Sequence, residues 1–417
     1  MNWARIASLV QPRHLSEAGT LGARVFGLVA GLISSGITAH ALSPDDRGQY
    51  FYVVAIAGVL ASFANLGLPS ANSFFSARNL GWLRRLLWWS TLLGAVMGVA
   101  LAAIFSVATL VPGLQRFAAE HEVWLFALTP GVLALSLMGP LLAGAHRFGA
   151  LNLVQVGQQA FLLICFAAIA RWAPSAEAFL AAASLGALLG VVATMICVWL
   201  EKTPPAPEPL TASAWVTYGM RAYLILLLGT LVSRLGVFFV RAYGEPVDLG
   251  IYSVSVQLWD AMAILPSSLA MILFPTIVRD QTLTWAKCVS ESRRMLIFAV
   301  AAAIGAAVVL KPAIPLVFGQ AYASAYWPSL FFLPGFVAFA VVNIASQFLA
   351  AIGFPRGVAI SWAISAAFLT ATTPVLVDRW GPSGGAAATS LTYCLLALLM
   401  LRLAYNKLPN ATDPTHV

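Results

Sequence analysis

Twelve stretches of about twenty largely apolar residues recur along the chain, at about 22–41, 50–75, 87–111, 123–143, 150–170, 177–200, 218–240, 249–277, 295–318, 326–350, 357–377 and 384–404. This feature fixes the solvent. A hydrocarbon core ~30 Å thick takes ~20 apolar residues of helix per crossing. Backbone in lipid must satisfy its own hydrogen bonds, which leaves helices and closed barrels. Barrel strands read as short segments of alternating polarity, whereas these runs are long and continuous. With 60% hydrophobic residues, 9% charged residues and a mean hydropathy of +0.87, no soluble core could hide them. The sequence predicts an all-α integral membrane protein of about twelve transmembrane helices and no sizeable soluble domain. Pro69, Pro130, Pro266 and Pro334 fall inside stretches and predict kinks.

Residues 1–20 carry Arg5, Arg13, His14 and Glu17, interrupted by Pro12, and lack the apolar run of a signal peptide. They are expected to form a cytoplasmic N-terminal segment. An even number of spans places both termini on one side, and the loops choose the side. With the N-terminus inside, sixteen of the 23 basic residues fall on cytoplasmic loops and six on external ones, leaving Arg234 within a span. That asymmetry predicts cytoplasmic termini. It also accounts for the net charge of +8 without nucleic acid.

Between the sixth and seventh stretches, residues 201–214 include four prolines, Pro204, Pro205, Pro207 and Pro209, and read as an extended cytoplasmic linker. It divides the chain into an N-terminal bundle, 21–200, and a C-terminal bundle, 215–404, followed by a tail over 405–417. The halves repeat. Asp46-Arg-Gly-Gln-Tyr50 answers to Asp248-Leu-Gly-Ile-Tyr252, Arg84-Arg85-Leu86-Leu87 to Arg293-Arg294-Met295-Leu296, Pro130-Gly131 to Pro334-Gly335, and Gly144-x-x-Arg147 to Gly353-x-x-Arg356. Six spans in each half give both halves the same orientation. They would be related by a pseudo-two-fold axis along the membrane normal, with a site between them.

Ionisable groups at membrane depth are costly and face a partner or a cavity. Arg234 lies 13 residues beyond Arg221, or ~20 Å along a helix, too deep to snorkel. Two readings stand: a structural ion pair with Asp260 of the next span, or an anion site in a wet cavity. Arg24 and Arg221, near the starts of the first and seventh spans, either snorkel or line the mouth of that cavity. Helical spacing puts Ser62, Asn65, Pro69 and Asn72 on one face of the second span, and Ser253, Gln257, Asp260 and Ile264 on one face of the eighth. Such polar stripes serve helix–helix hydrogen bonding or line a cavity. Arg24, Arg221, Arg234, Asn65, Asn72, Gln257 and Asp260 are the candidate substrate contacts.

Enzyme chemistry finds no material. There is no phosphate-binding glycine loop, no HExxH and no nucleophile elbow. Of four scattered cysteines, Cys165, Cys197 and Cys394 lie in apolar stretches, and no two histidines have ligand spacing. No cofactor or metal site is expected.

Three segments carry a family resemblance. Ala39-His-Ala-Leu-Ser-Pro-Asp-Asp-Arg-Gly-Gln-Tyr50 with Ala64-Asn-Leu-Gly-Leu68, then Gly250-Ile-Tyr252 with Pro266 and Phe274-Pro275, then Phe318-Gly-Gln-Ala-Tyr-Ala-Ser-Ala325 ahead of Pro334-Gly335, resemble the Wzx-type lipid-linked oligosaccharide flippases. These polysaccharide exporters belong to the multidrug/oligosaccharidyl-lipid/polysaccharide (MOP) superfamily. The resemblance implies a MATE-like protein of two six-helix bundles in the bacterial cytoplasmic (inner) membrane, working by alternating access. Its implied substrate is an undecaprenyl-diphosphate-linked oligosaccharide for surface polysaccharide synthesis. Membrane lipids, a polysaccharide polymerase and chain-length proteins are its implied neighbours, and a Na+ or H+ gradient is the coupling source the family leaves open. Members often carry an acid two positions after the seventh-span arginine. Here that position is Gly236, which leaves Asp260 as the deep carboxylate. The rival readings are a cation-coupled small-molecule or multidrug antiporter of the same superfamily, and a non-transporting scaffold.

Overall fold

A computed structural model describes residues 12–201, 203–205, 210–279, 283–353 and 355–409; among these, the side chains of 12–21, 24, 221, 222, 271, 272, 275, 276, 278 and 279 lie outside the description. The described residues are helical and contain no strand. The helices are α1 (Pro12–Ala41), α2 (Pro44–Ala64), α3 (Leu68–Arg78), α4 (Leu83–Ala108), α5 (Leu125–Gly144), α6 (Phe148–Trp172), α7 (Ala176–Leu200), α8 (Ala212–Tyr243), α9 (Pro246–Arg279), α10 (Trp285–Phe318), α11 (Tyr326–Ala351) and α12 (Arg356–Lys407). Eight of them are long and apolar enough to cross a membrane, and nine if the bent pair α2–α3 is one span. Three features lower that number relative to the twelve apolar stretches. The 52-residue α12 counts once although Gly381 (φ 53°, ψ −133°) divides it into two arms, α1 offers only the shorter apolar piece Val25–Ala41, and α9 is not among the eight.

Local chemistry sets the ends. Ser43 caps α2 by accepting from the Asp46 N–H, with Pro44 in the first turn and Asp45 and Asp46 beside the positive end of the helix dipole. At the start of α9 the Asp248 carboxylate, inside the first turn, reaches back to accept from the Glu245 N–H at 2.9 Å. The break in the second stretch falls just ahead of Pro69, where α2 and α3 meet at 59°. Asn65 ends α2 and its Oδ1 accepts from the Gly67 N–H at 2.8 Å, while Leu66 (φ 50°) and Gly67 (φ 69°) adopt left-handed backbone. Pro130 and Pro334 lie inside uninterrupted helices.

The chain divides into two compact units at Leu224/Ile225, within α8 rather than in the proline-rich segment. The first turns of α8 pack into the first unit, which explains the shift. A Cβ on Gly67 would collide with the Gly219 carbonyl oxygen, so only glycine allows α8 this close to the break. Tyr223 donates to the Phe63 carbonyl at 2.6 Å and Tyr218 stacks on Phe74 at 4.4 Å. Asn72, fully buried, donates to Ser90 Oγ and to the Leu137 carbonyl, both at 2.8 Å, and accepts from Trp215 Nε1 at 2.7 Å. One amide thus ties α3, α4, α5 and α8 together. Around it Leu86, Leu87, Leu137, Leu141 and Val198 form the core. Gly94 and Gly98 of α4 approach Ala134 and Pro130 of α5 too closely for any side chain.

Each unit repeats parts of the other's design. The buried face of α4 holds Leu83, Leu86, Ser90 and Gly94, and that of α10 holds Ser292, Met295, Ala299 and Ala303, the same positions after a shift of 209 residues. Gly131 of α5 packs against Ala187 of α7, as Gly335 of α11 packs against Ser390 of α12.

Asn72→Ala should cost about 3 kcal/mol, because three hydrogen bonds go and the buried Trp215 N–H is orphaned. A melting temperature of the purified variant equal to that of the wild type would contradict this assignment.

Candidate functional site

Arg234 sits in the middle of α8 among Leu, Val and Phe residues. A guanidinium there keeps its charge and must be compensated. Compensation comes from the next helix: Arg234 Nη2 donates to Asp260 Oδ2 of α9 at 2.9 Å. The pair is not sealed. The Arg234 and Asp260 side chains are 31% and 43% exposed, so donors on the guanidinium remain available beyond the bond to Asp260.

An aromatic wall stands next to Asp260 in the same unit. Trp259, 6% exposed, contacts Phe332 at 5.3 Å, Phe339 at 5.7 Å and Tyr393 at 5.2 Å between ring centroids. Tyr252 joins through Phe332 at 5.7 Å. The wall was not readable in the sequence, because its members come from α9, α11 and α12.

Gly236 now has a physical reason. A Cβ there would strike the Tyr252 hydroxyl and lie 3.4 Å from Thr389 Oγ1. A Cβ on Gly385 would lie 3.2 Å from Cε2 of the same ring. Tyr252 thus occupies the space an acidic side chain would need.

The remaining candidates are dispersed. The side chains of Arg24 and Arg221 lie outside the described residues. Asn65 terminates α2 and Asn72 is the buried amide described above, both in the first unit. Gln257 is half-buried one turn before Asp260 on α9. Within the described residues, then, Arg234 and Asp260 are brought into contact, and Gln257 shares their helix pair. Hydroxyl groups of both predicted stripes bond back to their own helix, Ser62 donating to the Gly58 carbonyl and Ser253 to Gly250, as does the Asn343 amide of α11 to Phe339. Arg47, counted above among external loop charges, is 1% exposed and donates to Ser35 Oγ at 2.8 Å. Its burial at the start of α2 was missed because the turn is so short. No cluster of three metal-ligating side chains occurs among the described residues.

A membrane-embedded, all-helical fold with a half-open arginine–aspartate pair is the setting for the comparisons. The chain belongs to the polysaccharide biosynthesis protein family, whose model matches residues 20–281. No curated protein matches it. Among solved structures it is similar to an inward-facing multidrug resistance MATE family transporter of the MOP superfamily, at 11% identity and a TM-score of 0.73, over 90% of this chain and 93% of that one. It is also similar to the lipid II flippase MurJ in an inward closed conformation, at 12% identity and a TM-score of 0.66, over 93% and 87%. A third likeness is to a MOP superfamily transporter from Pyrococcus furiosus, described as having a binding pocket of reverse polarity, at 14% identity and a TM-score of 0.62, over 92% and 94%. These likenesses establish the fold. The family assignment agrees with the Wzx-type resemblance drawn from the sequence.

Gly236→Ala should lower the melting temperature, since its Cβ meets the Tyr252 hydroxyl. Gly236→Ala combined with Tyr252→Phe should recover part of the loss, because the nearest ring carbon then lies 3.4 Å from that Cβ. A single variant as stable as wild type, or a double variant no better than the single, would refute the packing argument.

Proposed function

We propose that the protein is a flippase that turns an undecaprenyl-diphosphate-linked oligosaccharide from the inner to the outer leaflet of the bacterial cytoplasmic membrane. In this reading twelve spans form two six-helix bundles related by a pseudo-two-fold along the membrane normal. The termini and residues 201–214 are cytoplasmic, and access alternates between the two sides. Membership of the polysaccharide biosynthesis family supports the substrate class. The observation that carries the reading is Arg234, held by one carboxylate yet 31% exposed.

The physics is direct. A diphosphate and its sugars cannot cross hydrocarbon unaided, whereas the polyprenyl tail stays in lipid throughout. A guanidinium offers a planar fork that bonds phosphate oxygens in pairs and does not lose its proton. A diphosphate arriving at Arg234 competes with Asp260 for that fork. The carboxylate it releases is then free to take a proton or Na+, which would couple transport to an ion gradient. Arg24 and Arg221 are proposed as further cationic contacts, and Gln257 as a hydrogen-bonding contact. The antiporter reading is weaker on the same observation, because a carboxylate bonded to Arg234 is not available to a cationic drug. A polysaccharide polymerase and chain-length proteins are the proposed partners.

Arg234→Ala should abolish glycan export while protein still accumulates in the membrane, and Arg234→Lys should retain part of it, keeping the charge without the fork. Export is read as surface polysaccharide in a strain lacking its own copy. If Arg234→Ala instead clears the protein from the membrane, and adding Asp260→Ala restores its amount, the pair is structural. Orientation is tested separately by a single cysteine at position 208. An impermeant reagent applied to whole cells should leave it unlabelled, and labelling would reverse the topology.

A further inference from the structure

In the second unit an open apolar groove of about 580 Å3 runs between α10, α11 and the second arm of α12. Val289 and Leu296 of α10, Val337 and Val341 of α11, and Leu398 and Leu401 of α12 line it. Its only charged lining residue is Arg293, one turn from both Val289 and Leu296 on the same face of α10.

The charges around Arg293 are arranged unevenly. Glu291 is engaged by Lys287 at 2.9 Å and by Arg294 at 3.1 Å. Arg293 has no acidic partner and no hydrogen bond among the described residues. The repeat supplies an internal control. At the matching position of the first unit, Arg84 donates to the Trp199 and Glu201 carbonyls at 3.3 and 3.4 Å and lies 4.8 Å from the Trp199 ring centre. Its neighbour Arg85 donates to the Leu210 carbonyl at 3.1 Å. Leu87 is 2% exposed there, covered within a core that includes Leu210 and Trp215, whereas its counterpart Leu296 is 41% exposed. Among the described residues the same helix face is therefore covered, with its arginine hydrogen-bonded, in the first unit, and uncovered, with its arginine unpartnered, in the second.

We infer that this groove holds an anionic phospholipid of the adjoining leaflet, one acyl chain lying along Leu296, Val337 and Leu398 and the phosphate on Arg293. A cation at the end of an otherwise apolar cleft between spans complements a phosphate headgroup on a hydrocarbon chain, and a zwitterionic lipid would gain less from it. The site is distinct from the Arg234–Asp260 pair and does not depend on the flippase reading.

The test is a lipid titration of the purified full-length protein followed by native mass spectrometry. Phosphatidylglycerol should bind more tightly than phosphatidylethanolamine. Arg293→Gln should weaken the tightest phosphatidylglycerol event about five-fold, the effect of ~1 kcal/mol per basic residue near a headgroup, without lowering the melting temperature. Arg294→Gln, which removes a charge one residue away, should leave that event unchanged. Leu398→Trp should weaken it by filling the groove. The proposal fails if Arg293→Gln binds phosphatidylglycerol like wild type, if the two phospholipids bind equally, or if Leu398→Trp has no effect. Undecaprenyl phosphate displacing phosphatidylglycerol at equal concentration would assign the groove to a prenyl chain and also overturn it.

Discussion

A guanidinium in the middle of an apolar helix is a costly group, and the bond from Arg234 to Asp260 is what allows it to stay there. Removing either partner would strand the other in a low-dielectric setting, a penalty larger than the net worth of the pair. The bond leaves part of the guanidinium open, so the compensation is incomplete in a useful direction. An anion with several oxygens can displace one carboxylate oxygen without leaving the arginine uncompensated at any stage. The Trp259, Phe332, Phe339 and Tyr393 wall fixes the backbone of α9 beside the pair, so the carboxylate is held rather than left to swing.

Within each unit, close approach of helices does much of the joining. In lipid, apolar side chains gain little by leaving one hydrocarbon for another, and small residues that let helices touch carry more of the association. Gly94 on Ala134, Gly98 on Pro130, Gly131 on Ala187 and Gly335 on Ser390 are such contacts. Polar residues within the helices are mostly spent locally, on the preceding turn, which keeps them from demanding partners in lipid. Asn72 instead spends its capacity across four helices and anchors the start of α8 to the first unit.

What the sequence made legible follows from what physics enforces locally. Spans are long uncharged runs because lipid tolerates nothing else, so the helices could be located, although α1 and α10 begin ten residues ahead of their apolar stretches. The depth of Arg234 and the identity of Asp260 as its neighbour came from counting residues along two helices. Long-range packing was hidden. The division of the chain falls at Leu224/Ile225 because Trp215, Tyr218 and Gly219 find partners in the first unit, and no local signal states that. At Gly236 the sequence registered a missing acid, but the cause, the hydroxyl of Tyr252 from another helix, exists only once the chain has folded. Asn65 and Asn72 share a helical stripe by spacing, yet the break at Leu66–Gly67 gives them unrelated tasks.

The central claim is that this protein moves a lipid-linked glycan by recognising its diphosphate. The most direct test is transbilayer movement in proteoliposomes, using two fluorescent undecaprenyl oligosaccharides that differ only in the linkage, diphosphate in one and a neutral linker in the other. Loss of quenching by an impermeant reductant reports transfer to the protected leaflet. The account predicts protein-dependent transfer of the diphosphate-linked probe and none of the neutral one. Equal transfer of both, or transfer of neither while a lipophilic cation crosses, would contradict it.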